Sequence, residues 1–273
     1  LNNSQALTRR QALAAMAASA VTISTLGNVA AKGAEMNQTK QATFVLVHGA
    51  WHGGWCWKKL TPILRAAGHE VFAPTLTGMG ERSHLINPQI NLDTHIQDIT
   101  NVLEYEDLHN VILVGHSYGG MVISGVAAKA GSRLAQLVYL DAFLPENGKA
   151  LQDYAPPLAE LVQAQGAGWR LSSAWMGTPT EMFGVKESAD LAWVTPRLGD
   201  QPYKTFTQPV QLATNTDKPL KQTYIHLTKG PPFEEAAARA KKQGVRFYEL
   251  FSAGHDAMVT QPKELAKILF ELV

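Results

Sequence analysis

The chain has 273 residues, 45% of them hydrophobic, with 24 Lys and Arg against 23 Asp and Glu for a net charge of +1. That length is enough for one sizeable core, and near-neutral charge argues against nucleic acid as a partner. One cysteine, Cys56, excludes an intramolecular disulfide and a multi-cysteine metal site. Set between Trp55 and Trp57, it is expected to pack. The mature chain shows no apolar run of membrane-spanning length.

Residues 1–40 read as an export signal and linker rather than as fold. Thr8-Arg9-Arg10 precedes an uncharged stretch, Gln11 to Leu26, rich in Ala, Ser and Thr; small residues around Ala30-Ala31 follow. A charged start, a weakly apolar middle and small residues at the end describe a secretory signal. The arginine pair points to the twin-arginine route. Cleavage is expected near Ala31 or Ala34, which would place the protein in the periplasm or outside the cell. The alternative is a plain alanine-rich helix on a cytoplasmic protein.

From Thr43 onward strand-like and helix-like segments alternate. Phe44 to Val47, Glu70 to Ala73, Val111 to Val114 and Leu137 to Leu140 read as strands. Trp55 to Ala67, Leu92 to Glu106 and Tyr118 to Ala130 read as helices. The second places Ile96, Ile99, Val102 and Leu103 on one face. Such alternation predicts an α/β fold, a mostly parallel sheet covered on both faces. It stops at Pro145 and resumes with strands at Thr223 to Leu227 and Val245 to Phe251. The core is therefore expected over 41–145 and 222–273. The excursion over 146–221 is too long for a plain loop and reads as a lid. Leu158 to Val162 and Ser188 to Trp193 look like short lid helices. With Trp169, Trp175 and Trp193, they suit the wall of an apolar ligand pocket.

Gly115-His116-Ser117-Tyr118-Gly119 follows the buried-strand run Val111 to Val114. A G-x-S-x-G turn between strand and helix pushes the Ser hydroxyl out at the top of a sheet, where a substrate can reach it. Ser117 is therefore the candidate nucleophile. It needs a base, because a Ser hydroxyl is weak at neutral pH. His255, after the last predicted strand, is the candidate. His48-Gly49-Ala50 ends the first strand in a glycine-bearing loop. The backbone N–H of Ala50 and of Tyr118, the residue after the nucleophile, are the candidate oxyanion donors. His48 and His52 could suggest a metal pair, but no carboxylate or cysteine cluster accompanies them in sequence. No cofactor is expected.

These segments resemble the α/β-hydrolase superfamily over roughly Ala42 to Val273. Within it the chain is similar to the branch of plant methyl esterases, hydroxynitrile lyases and bacterial pyrethroid-hydrolase-type carboxylesterases. The resemblance rests on the run from Val45 through His48-Gly49-Ala50-Trp51-His52-Gly53-Gly54 to Trp57, and on Pro74 to Arg82. Gly115 to Gly120 and Gly254-His255-Asp256-Ala257-Met258 complete it. It implies an α/β-hydrolase fold with a helical lid. It also implies hydrolysis rather than cyanide release. The lyases carry Thr where Gly49 stands and Lys where Asp256 stands, and an aspartate would repel a departing cyanide.

The third catalytic member stays open between two acids. The usual position after the post-lid strand reads Leu227-Thr228-Lys229-Gly230-Pro231-Pro232-Phe233, with no acid before Glu234. Asp141, ending the strand after the nucleophile's, is preferred to Glu234, since the requirement is only a hydrogen bond to the imidazole. The reading is a serine carboxylic-ester hydrolase acting on hydrophobic small molecules. A hydroxynitrile lyase and a non-catalytic ligand-binding protein on the same scaffold are the alternatives.

Overall fold

Six short strands form one sheet in the computed structural model, which describes residues 41–155, 160, 168–175, 177–213, 219–228 and 233–273. The expected signal over 1–40 lies outside the described residues, as does the expected helix over 158–162 apart from Glu160. The strands are β1 (Thr43–Val47), β2 (Glu70–Phe72), β3 (Val111–His116), β4 (Leu134–Leu140), β7 (Lys221–Leu227) and β8 (Arg246–Leu250). They lie in the order β2-β1-β3-β4-β7-β8, and every neighbouring pair is parallel. Every residue of β3 is buried. That is why Val111 to Val114 is a continuous apolar run rather than alternating: both faces of a parallel sheet are covered.

Helix α2 (Leu92–Tyr105) starts on Asn91, whose side chain accepts the Thr94 N–H while Thr94 Oγ1 accepts the Asn91 N–H. Such reciprocal capping contributes about 1 kcal/mol. Leu92, Ile96, Ile99 and Leu103 form its buried face, with Val102 at the margin, and it packs on α3 (Gly119–Ala130). The helix expected from Trp55 to Ala67 is two pieces, a 3-10 turn at Gly54–Trp57 and α1 at Thr61–Ala66. Pro62 explains the break: without an N–H it suits the first turn of a helix and not an interior.

The segment between β4 and β7 holds helices at Pro179–Phe183 and Ser188–Val194. It also holds an antiparallel pair that hydropathy did not reveal, β5 (Arg170–Ser172) with β6 (Asp200–Pro202). Three-residue strands are too short to show a period. An ion pair between Lys59 and Asp190 and edge-on packing of Trp193 against Trp55, ring centroids 5.3 Å apart, tie this segment to the β1 side of the core. Among the described residues, no helix is long and apolar enough to cross a membrane. Because the strands are parallel, the residues that follow β1, β3, β4 and β8 emerge at one edge of the sheet.

Candidate active site

Ser117 directly follows β3 with φ +55°, in the left-handed region. A side chain there costs about 1–2 kcal/mol and persists only where neighbours fix it. Three bonds do so: Ser117 N–H donates to Leu140 O (3.3 Å), and Ser117 O accepts from Gly120 N–H (3.0 Å) and Phe143 N–H (3.2 Å). The flanking glycines are steric requirements. A Cβ on Gly115 would lie 2.6 Å from Gly119 O, and one on Gly119 would lie 2.8 Å from Val47 O.

Asp141, the residue after β4, also has positive φ, +42°. Its Oδ2 lies 2.7 Å from His255 Nδ1, and both side chains are buried. Its Oδ1 accepts the Leu227 N–H at 3.3 Å and faces His226 Nδ1 at 3.4 Å. Burial alone would raise the Asp141 pKa. The two histidines and the Leu227 amide outweigh burial and hold it below the ordinary carboxylate value. A carboxylate acceptor fixes the proton on Nδ1 of His255 and leaves Nε2 as the basic nitrogen. The His255 ring stacks on Phe233 at 5.0 Å and 7°, and lies 4.3 Å from the His116 ring. Glu234 sits one residue further out. Its Oε2 is 3.2 Å from His226 Nε2, on the other side of that ring from Asp141.

The Ala50 loop is pinned at consecutive peptides. Leu76 N–H donates to His48 Nε2 (3.1 Å), so the ring proton is on Nδ1, which donates to Gly49 O at 2.8 Å. Burial lowers the His48 pKa to about 3, so the ring is neutral, as this pattern requires. The peptide whose N–H belongs to Ala50 is therefore held by its own carbonyl. The next peptide is held from both ends: Ala50 O lies 2.7 Å from His52 Nδ1, and Trp51 N–H donates to Gln201 Oε1 at 3.2 Å. Trp51 itself has φ +63°. Gly199 N–H donates to its carbonyl, and its indole N–H donates to Leu171 O. Tyr118 is anchored by its hydroxyl, which donates to His95 Nδ1 at 2.9 Å; burial lowers His95 to about 4, keeping it neutral. Among the described residues, neither the Ala50 nor the Tyr118 amide N–H has an acceptor.

Asp256 does not stand open to the site, as the argument from a departing cyanide assumed. Its carboxylate is fully buried and pairs with His52 Nε2 at 3.0 Å. His116, Gln201 and His226 had no role in the sequence reading, while His52 entered it only beside His48 as a metal candidate and Asp256 only as a charge against cyanide. His52 lies inside a recognised motif, but its carboxylate partner is 204 residues away and leaves no local signal. Cys56 is buried, and burial pushes its thiol pKa up, in keeping with packing.

Known proteins resemble the chain over most of its length. The chain is 43% identical over 244 residues to a carbendazim hydrolyzing esterase of Nocardioides sp. (strain SG-4G), covering 85% of this chain and 99% of that one. An extracellular alpha/beta-hydrolase from a Paenibacillus species superimposes with a TM-score of 0.73 at 24% identity, covering 84% of this chain and 98% of the other. A pyrethroid hydrolase superimposes with a TM-score of 0.70 at 22% identity, over 85% and 97% of the two chains. The model of the alpha/beta hydrolase family matches residues 44–268, from the first core strand into the last helix. With a six-stranded parallel sheet and a strand–Ser–helix turn inside that match, the chain belongs to the alpha/beta hydrolase family.

Proposed function

We propose that the chain is a serine carboxylic-ester hydrolase acting on hydrophobic small molecules through an acyl-enzyme on Ser117. The observation that carries this reading is the buried 2.7 Å bond from His255 to Asp141, at the sheet edge where Ser117 stands on its strained turn. In this mechanism Ser117 Oγ attacks the ester carbonyl and its proton passes to His255 Nε2. The oxyanion accepts hydrogen bonds from the Ala50 and Tyr118 amides. His255 then protonates the departing alkoxide, leaving Ser117 acylated. Water attacks the acyl carbon, giving its proton to His255, which returns it to Ser117 as the acid leaves. Asp141 stays ionised throughout and balances the imidazolium.

The lyase alternative is disfavoured at Gly49. A Cβ there would lie 3.0 Å from Ser117 Cβ and 3.0 Å from His116 Nδ1, so a threonine would need both to shift. The segment over 146–221 serves as a lid on a core of 41–145 and 222–273. Its hold on Trp51 supports that reading. The Nocardioides relative is named for carbendazim hydrolysis, so carbendazim belongs on the panel of test esters beside aromatic and short-chain esters.

The test is Ser117→Ala. Turnover of every ester that the wild type cleaves should fall by ~10⁴-fold or more, with the melting temperature little changed. An organophosphonate should inactivate the wild type by labelling Ser117. Near wild-type turnover in the pure variant would sink the mechanism. Wild-type protein that binds but turns over none of the panel would favour the ligand-binding alternative.

A further inference from the structure

We propose that His52 and Asp256 form a positioning pair for the oxyanion hole, locking the loop that carries Ala50 to the loop that carries His255. The proposal rests on the serine-esterase reading above.

With Asp256 ionised, the geometry calls for a doubly protonated ring. Ala50 O and the Asp256 carboxylate are both acceptors, at 2.7 Å from Nδ1 and 3.0 Å from Nε2 of the same imidazole. A neutral ring has one N–H and can satisfy only one of them. Asp256 supplies the countercharge that keeps the second proton. Burial works against a charged His52, but Asp256 and the Ala50 carbonyl together outweigh it and raise its pKa. The His52 ring is packed in place, and the Asp256 backbone is anchored beside it. The His52 ring stacks on Trp55 at 5.2 Å and meets Phe183 edge-on at 4.9 Å. Asp256 N–H donates to Phe183 O at 3.0 Å.

A purely structural link would not call for these residue types. Removing two charges from water is expensive, and an apolar pair of similar volume usually holds two loops as well or better. The charged pair adds a directional hold on Ala50 O. With His48 on Gly49 O and Gln201 on Trp51 N–H, that bond completes the fixing of both peptides around Ala50. The direction of the Ala50 N–H follows. Asp256 also adjoins His255, so one ion pair registers the oxyanion donor against the base. Preorganised donors of this kind act on the transition state, where charge develops, and not on ground-state binding.

The experiment is Asp256→Asn, assayed beside wild type and Ser117→Ala. Asparagine removes the countercharge and leaves the ring neutral: its amide either accepts from Nε2–H at the cost of the Ala50 O bond or donates to Nε2 in a weaker neutral bond that holds the ring less firmly. We expect kcat to fall ~10–10²-fold with KM within about twofold, since one oxyanion donor is misdirected rather than removed. A trifluoromethyl ketone, whose Ser117 adduct places an anion in the hole, should bind more weakly by a comparable factor. A variant with lowered melting temperature but unchanged kcat and ketone affinity would overturn the proposal and leave a structural role. Should Asp256→Asn fail to fold, the wild type still decides. With ¹⁵N-labelled histidine at pH 7, both ring nitrogens of His52, assigned by comparison with His52→Gln, should read as protonated. A neutral tautomer would overturn the proposal. If Ser117→Ala retains turnover, the serine-esterase reading fails and this proposal falls with it. If Ser117→Ala is dead and Asp256→Asn is not impaired, this proposal fails alone.

Discussion

Asp141 meets His255 across the sheet edge at 2.7 Å, although 114 residues separate them and Asp141 lies one strand after the nucleophile rather than beyond the excursion. If this carboxylate orients the base, Asp141→Asn should present the wrong partner to the imidazole and remove its countercharge. A fall of ~10²–10⁴ in kcat with modest change in KM is expected. Glu234→Gln should change kcat less than about threefold, because Glu234 is exposed and reaches only the far side of His226. Steady-state kinetics on the two variants separates them. The reverse order of effects would assign the role to Glu234.

The His52–Asp256 pair predicts a pH window for stability. The Asp256 pKa lies below its ordinary 3.8, because the His52 charge outweighs burial, so its contribution is complete above that value and is lost as pH falls through the depressed one. The His52 pKa lies above its ordinary 6.5, so its contribution is complete below that value and is lost as pH rises through the raised one. His116, His255 and Cys56 also face the pair. The melting-temperature gap between wild type and Asp256→Asn should therefore be widest between pH 3.8 and 6.5 and narrow on both sides. Breaking a buried pair costs ~3–5 kcal/mol, large enough to follow by thermal melts. A gap that stays constant from pH 3 to 9 would contradict the assignment of charges.

Gln201 should couple the segment between β4 and β7 to the Ala50 loop. It is fully buried, accepts from Trp51 N–H and donates to Thr205 Oγ1 at 2.7 Å. Gln201→Leu leaves the Trp51 N–H unpaired, at a cost of ~1–3 kcal/mol, and frees one end of the Ala50–Trp51 peptide. Lower stability together with a ~10-fold fall in kcat is expected. A stability loss with kcat intact would show that Trp51 is held well enough by Gly199 and Leu171.

For the N-terminal segment we propose twin-arginine export. Active protein from its native host should then begin after Ala31 or close to it, and Arg9→Lys with Arg10→Lys should retain the protein in the cytoplasm. N-terminal sequencing that finds Leu1 on the active protein would rule the signal out.

The alternating apolar runs identified the strands, and G-x-S-x-G after β3 marked Ser117, because both are constrained locally. A strand covered on both faces is mostly apolar, and a turn whose flanking Cβ atoms would clash with Gly119 O and Val47 O must carry glycine. His255 was legible from its place after the last strand. Local pattern could not choose between Asp141 and Glu234, since a hydrogen bond to an imidazole depends on where two strand ends meet and not on spacing. The same holds for His52 with Asp256, 204 residues apart, and for Trp51 with Gln201, 150 apart. β5 and β6 escaped because three residues cannot show a period. The sequence by itself determined most strands of the sheet, the turn that carries Ser117 and the place of His255 after the last strand. Only the packed tertiary structure decided which carboxylate meets His255 and which side chains hold the Ala50 peptides, because buried polar groups choose partners by proximity in space.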